Sequence, residues 1–158
     1  MYSILAAADL LIQTFKAGGK VLLCGNGGSA ADCQHMAAEL VPAGLPAIAL
    51  TTDTSFITAW SNDVSFTDIF AAQIDALEKP EDTLLAISTS GQSANILSAV
   101  ESATCHTIAL TGTRGVDLVA DADVTIMVPS TNTEHIQEAH LAIEHILCNL
   151  VKKAMNDN

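Results

Sequence analysis

Basic residues are scarce in this 158-residue chain: lysine and arginine total 6 against 18 aspartates and glutamates, the formal net charge is -12, and Arg114 is the only arginine. No basic stripe is available to neutralise a nucleic-acid backbone, which argues against direct nucleic-acid binding. A small anion is still admissible, since a few amide and hydroxyl donors at a helix start can hold one phosphate locally; such a site must then be built from neutral donors. Hydrophobic residues make up 49% of the chain, yet no apolar run approaches the ~20 residues of a membrane span, and nothing reads as a basic leader with a cleavage site. The expectation is a soluble, cytoplasmic protein with no membrane partner. Cysteines are few and scattered: Cys24, Cys33, Cys105 and Cys148 form no CxxC pair or zinc-finger spacing and are expected to be buried, reduced thiols. The GxxxxGK[ST] lysine of a P-loop is missing, HIQEAH is not the HExxH zinc motif, and no linker or low-complexity tract divides the chain. One domain over residues 1–158 follows.

What is present is a regular alternation of apolar runs and helical periodicities. Residues 4–15 carry apolar positions at helical spacing and stop before Gly18 and Gly19. Apolar runs at 20–24, 47–50, 83–87, 107–110 and 124–128 read as strands. Helical patterns begin at Ala30, occupy a short stretch through Trp60, run to Leu77 after a polar break at Asn62 and Asp63, and recur at 94–103, after the loop 111–115, and at 134–154. Asp63 or Ser65 would cap the helix that runs to Leu77. Continuous apolar strands alternating with helices indicate a parallel sheet covered on both faces. The expected fold class is therefore α/β, a three-layer αβα doubly wound sheet of five parallel strands in the flavodoxin-like order 2-1-3-4-5, with ligands bound beyond the carboxyl ends of strands 1 and 3.

Two polar loops follow those two strands. GNGGSA at 25–30 opens a helix, exposing free N–H groups at a positive dipole end, and His35 and Glu39 come next, one turn apart on one helix face. In the second loop Ser88, Thr89, Ser90 and Ser93 supply four hydroxyls in six residues, more than capping needs, and could surround a phosphate without any cation. The first loop also fits GxGxxA, with Asp53 near the end of the second strand as in a dinucleotide fold. Asp53 comes a few residues beyond the apolar run, and a dinucleotide leaves the hydroxyl cluster unexplained, so no nucleotide cofactor is expected. In the last helix Gln137 and His145 are eight residues apart and fall ~80° from each other around the axis, so both can face the crevice. His135 and His140, ~140° apart, cannot readily share a ligand and read as surface or supporting residues, and His106 as structural.

GNGGSAADCQHMAAEL, the break SND, LLAISTSGQSANI, IALTG and HIQEAHLAIEHIL resemble, in order and over nearly the whole chain, the sugar isomerase (SIS) domain family, in particular its phosphoheptose isomerase branch. The resemblance implies an aldose-ketose isomerase converting sedoheptulose 7-phosphate to D-glycero-D-manno-heptose 7-phosphate through an enediol, on the route to lipopolysaccharide heptose. It further implies a phosphate held by Ser88, Thr89, Ser90 and Ser93, and a sugar contacted by Asn26, Gly27, Gly28, Glu39, Asn62, Asp63 and Gln137, with Glu134 where the family has an aspartate. Glu39 and His145 are implied as base and acid, one Zn2+ per site on His35, Glu39, Gln137 and His145, and a homotetramer. Zinc ligation and base catalysis by Glu39 compete, because a tightly bound carboxylate is a poor base. Relative to the family the chain begins about one helix later, and its turn at 41–46 is shorter, lacking a basic stretch. GSAADCQH also resembles a related branch of adaptors for the bacterial replication initiator, which lacks counterparts of Glu39 and His145; a third reading is an isomerase of another sugar phosphate.

Overall fold

A computed structural model describes residues 2–156. The elements are helix α1 (Tyr2–Lys16), strand β1 (Val21–Gly25), α2 (Gly28–Leu40), β2 (Ala47–Ala49), α3 (Thr54–Asp63), α4 (Ala71–Leu77), β3 (Thr83–Ser88), α5 (Ala94–Ser102), β4 (His106–Gly112), α6 (Val116–Asp121), β5 (Val124–Val128) and α7 (Thr133–Asn156). All strand pairs are parallel, in the order β2-β1-β3-β4-β5. The expected doubly wound sheet is therefore the observed one.

Side chains alternate across a strand, so each strand feeds two cores. Val21, Leu23, Leu85, Ile87, Ile108 and Leu110 point to a layer closed by α1, α2 and α7, where Leu11, Met36, Leu40, Leu147 and Val151 are buried. Leu22, Cys24, Leu84, Ala86 and Ala109 point to the opposite layer, where Phe70, Ile74, Ile96, Ala99 and Leu118 close it. All four cysteines are free and buried, in agreement with expectation. Asp82, almost wholly buried, accepts hydrogen bonds from the backbone N–H of Lys20 and Lys79 and pairs with the Lys20 ammonium, which fixes the starts of β1 and β3 side by side. From there the register pairs Gly25 with Ile87, so both strands release their loops at one level on the sheet's carboxyl edge.

Two local expectations are corrected and a third is narrowed. The polar pair Asn62 and Asp63 does not break the chain: both lie in the last turn of α3, which Asp53 caps by accepting from the Phe56 N–H at 2.9 Å. The helix running to Leu77 is interrupted: a 3₁₀ turn at Phe66–Asp68, whose N–H of Thr67 is capped by the Ser65 hydroxyl, precedes α4 and turns Ile69 and Phe70 into the core. Of the surface and supporting roles read for His140, the surface one falls: it is fully buried, its Nε2 directed at the Thr111 carbonyl at 3.4 Å. Among the described residues no helix is long and apolar enough to cross a membrane.

Candidate active site

The crevice forms where the β1–α2 and β3–α5 loops meet the amino end of α7. It encloses about 240 Å³, several waters' worth of space, and is lined by Asn26, Gly28, Ser88, Thr89, Ser93 and Gln137, among others. A cavity of about 200 Å³ at the amino ends of the strands, beside Thr14, Glu81 and His106, opens on the other edge of the sheet, away from these loops.

Two glycines set the crevice walls. A Cβ on Gly28, the first residue of α2, would lie 2.4 Å from the Gln137 amide nitrogen, so glycine lets α7 lean against the start of α2. Gly91 has φ +62° and its Cβ would lie 2.2 Å from the Gly115 Cα, so the β3–α5 loop can fold tightly onto its neighbour only without a side chain there. Within that loop the buried Ser88 hydroxyl accepts from the Gly91 N–H at 3.1 Å and donates to the Ser93 oxygen at 3.3 Å. Ser93 is the residue before α5 and does not cap it with its side chain; its carbonyl accepts from the Ile96 and Leu97 N–H groups, and its hydroxyl lines the crevice. Ser90 accepts from the Gln92 N–H and stands outside the lining.

The two loops are joined by a reciprocal amide pair. Asn26 donates to the Asn95 oxygen at 2.8 Å and Asn95 donates back at 2.9 Å, with Asn95 almost wholly buried. Sequence reasoning missed Asn95; its signal is an amide on the apolar side of a short helix, where asparagine is otherwise unfavourable.

Further along α2 and α7 the ionisable residues meet. His35 and His145, 110 residues apart, approach with their Nε2 atoms 2.8 Å from one another and their rings edge to face at 5.0 Å. Glu39, a turn beyond His35, is bound through Oε2 by the Lys152 ammonium at 2.7 Å. That hydrogen bond, and then the lysine's charge, hold the Glu39 carboxyl below its ordinary range. Beneath the histidines Glu144 is buried with no hydrogen-bond partner for either oxygen, and Asp32 Oδ2 is likewise unpartnered. Burial first, and the Asp32 charge second, push the Glu144 carboxyl up to about 8. Burial also raises Asp32, opposed by His35.

Some expected site residues stand apart. Asn62 donates to Asp63 at 2.7 Å, both exposed on α3 and outside the crevice lining. Glu134 is exposed at the start of α7, where its N–H is bound by Asn132. Among the described residues no group of three or more His, Cys, Asp and Glu is placed to hold a metal ion, since Glu39 turns to Lys152 and the fourth candidate, Gln137, is an amide.

The SIS domain family matches residues 1–112. The phosphoheptose isomerase of Roseiflexus sp. (strain RS-1) is 48% identical over 161 residues, covering 96% of this chain and 82% of that protein. Among solved structures, the phosphoheptose isomerase of Neisseria gonorrhoeae superposes with a TM-score of 0.95 at 45% identity, covering 97% of this chain and 86% of the other. The enzyme of the same name from Francisella tularensis gives a TM-score of 0.92 at 45% identity, with 96% and 85% covered.

Proposed function

This chain belongs to the SIS domain family, among the phosphoheptose isomerases, and from that premise we propose that it isomerises sedoheptulose 7-phosphate to D-glycero-D-manno-heptose 7-phosphate. The observation that carries the reading is that α2 and α7 serve both half-sites: their amino ends line the hydroxyl-rich crevice at the β3–α5 loop, and further along the same helices His35 meets His145, with Glu39 one turn beyond His35. An anion site beside a base and an acid is what moving a carbonyl along a sugar phosphate requires. The whole chain acts as one SIS domain, in the cytoplasm, as a homotetramer, in lipopolysaccharide precursor synthesis. Retention of Glu39 and His145 favours this reading over an adaptor role.

In this reading Ser88, Thr89, Ser90 and Ser93, with the free N–H groups of α5, hold the phosphate. Neutral donors suffice because charge-assisted hydrogen bonds to an oxyanion are stronger than neutral ones. Asn26, Gly27, Gly28 and Gln137 contact the sugar from the crevice lining, and the family resemblance adds Asn62, Asp63 and Glu134, which stand outside that lining. Carbonyl transfer between C1 and C2 removes the proton from the carbon beside the carbonyl and returns one to the former carbonyl carbon. Glu39 takes and returns that proton through Oε1, the oxygen that Lys152 leaves open. His145 moves the hydroxyl proton between the two sugar oxygens, and His35, against its ring, sets which Nε2 carries hydrogen.

The donor set suits zinc in kind. Two imidazole nitrogens already converge, with Glu39 one turn after His35 on α2 and Gln137 two turns before His145 on α7. His35, Glu39, Gln137 and His145 would hold the ion, which when bound would supply a Lewis acid to polarise the sugar carbonyl.

Purified protein given sedoheptulose 7-phosphate should yield the heptose 7-phosphate; a folded, zinc-supplemented protein with no turnover would sink the reading. The combined change Ser88→Ala with Ser93→Ala should raise KM at least about tenfold with kcat within about threefold, since the lost contacts bind ground state and transition state alike. Unchanged KM in steady-state assays would put the phosphate elsewhere.

A further inference from the structure

We propose that Asn95 is a positioning residue: through its amide pair with Asn26 it ties the β1–α2 turn to the start of α5, so that the turn contacting the sugar and the turn holding the phosphate keep one separation. The inference rests on the reading of the crevice as an isomerase site and adds to it a residue that meets no substrate atom. Asn95 is the second residue of α5, 3% exposed and outside the crevice lining, whereas Asn26 is part of that lining. Asn95 therefore acts on the sugar only through Asn26. Each amide donates once and accepts once, at 2.8 and 2.9 Å. The pair needs an amide on both sides, since a carboxylate offers no donor and an aliphatic side chain offers neither group. A buried amide is unfavourable unless its groups are met, so the pair is specific for one arrangement of the two loops.

The ladder between β1 and β3 ends at Gly25 and Ile87, and past that rung, among the described residues, the two amides make the side-chain hydrogen bonds between the loops. The two partners are not equally anchored. Gly27 and Gly28 are exposed and bring no side chain to hold the turn, and Gly27 stands at φ +57°. On the other side Ile96, Ala99 and Val100 bury α5 in the core, and the Ser88 hydroxyl binds the Gly91 N–H within the loop before it. Losing the pair therefore frees the β1–α2 turn and leaves the phosphate turn in place. A sugar held by a looser turn is misaligned with the base and acid further along α2 and α7, and a misplacement of about 1 Å can cost about a hundredfold in rate.

The test uses the full chain with Asn95→Leu, Asn95→Ala, Asn26→Ala and the double change Asn26→Ala with Asn95→Leu. In steady-state kinetics on sedoheptulose 7-phosphate, Asn95→Leu should lower kcat about thirtyfold with KM within about threefold, because the phosphate contacts stay and orientation is lost. In the Asn26→Ala background the same change should alter kcat by less than about twofold, since a residue acting through Asn26 then has nothing to act on. A merely structural role would cost the same factor in both backgrounds, and that outcome overturns the proposal, as does a kcat within about twofold of the parent in Asn95→Leu. Asn95→Ala decides if the leucine variant fails to fold. Hydrogen exchange reads the tie without turnover. The Ala30 and Ala31 amides, bonded to the Gly27 carbonyl, should exchange about tenfold faster in the Asn95 variants, while the Gly91 amide keeps its rate within about threefold. Unchanged rates at Ala30 and Ala31 would overturn the proposal. If the parent converts no sedoheptulose 7-phosphate, the isomerase reading falls, while the exchange comparison still decides whether Asn95 holds the turn.

Discussion

Glu39→Gln should lower kcat for sedoheptulose 7-phosphate by about a thousandfold, within the 10²–10⁴ span of general acid–base catalysis, with little change in KM. The amide keeps the size and hydrogen-bonding reach of the carboxylate but cannot accept a carbon-bound proton. The phosphate contacts and most sugar contacts come from other residues, and glutamine keeps a hydrogen bond at position 39, so binding survives while the chemical step does not. His145→Ala should lose a comparable factor, and the double variant should be hardly worse than the poorer single one, because a base and an acid that serve one proton transfer act as a unit. Glu39 lies on the half-exposed last turn of α2, so circular dichroism and the melting temperature should barely move. A kcat within twofold of the parent in Glu39→Gln would assign the base to another residue.

The framework was legible because its causes are local. Continuous apolar runs such as residues 83–87, fully buried in β3, announce a strand covered on both faces, and their alternation with helices leaves few topologies. The spacing of His35 and Glu39 put them on one face of α2, and that of Gln137 and His145 put both toward one side of α7. Spacing cannot say what a facing helix brings. The Lys152 ammonium reaches Glu39 across 113 residues, and Asn95 clasps Asn26 across 69; both pairings exist only once the sheet has stacked the elements. Asn62 and Asp63 misled because two polar residues look alike in a loop and in the last turn of a helix, where their side chains satisfy each other. His140 and Glu144 did carry a signal: with Ile136, Leu147 and Val151 they fall on the buried stripe of α7, so polar residues there had to enter the core.

That burial makes stability pH-dependent in an unusual direction. Glu144 is 1% exposed, neither oxygen has a hydrogen-bond partner, and its carboxyl is raised by burial, and further by Asp32, to about 8 from an ordinary 4.5. Between those values the unfolded chain has released the proton and the folded chain still holds it. The native state therefore binds more protons, and stability falls as pH rises through this window, the reverse of an ion-paired carboxylate. Near neutral pH the loss from this group is about 3 kcal/mol relative to pH 4. Urea unfolding at fixed protein concentration should give a lower midpoint at pH 8 than at pH 5. Glu144→Gln removes the ionisable group but leaves a buried amide to be satisfied, so its gain at pH 8 should be smaller, about 1–2 kcal/mol. The stronger signature is the slope: in Glu144→Gln the difference between the two midpoints should shrink to less than half. An unchanged slope would mean that Glu144 ionises in the folded protein as easily as in water, and that the core beneath His35 and His145 admits solvent to it.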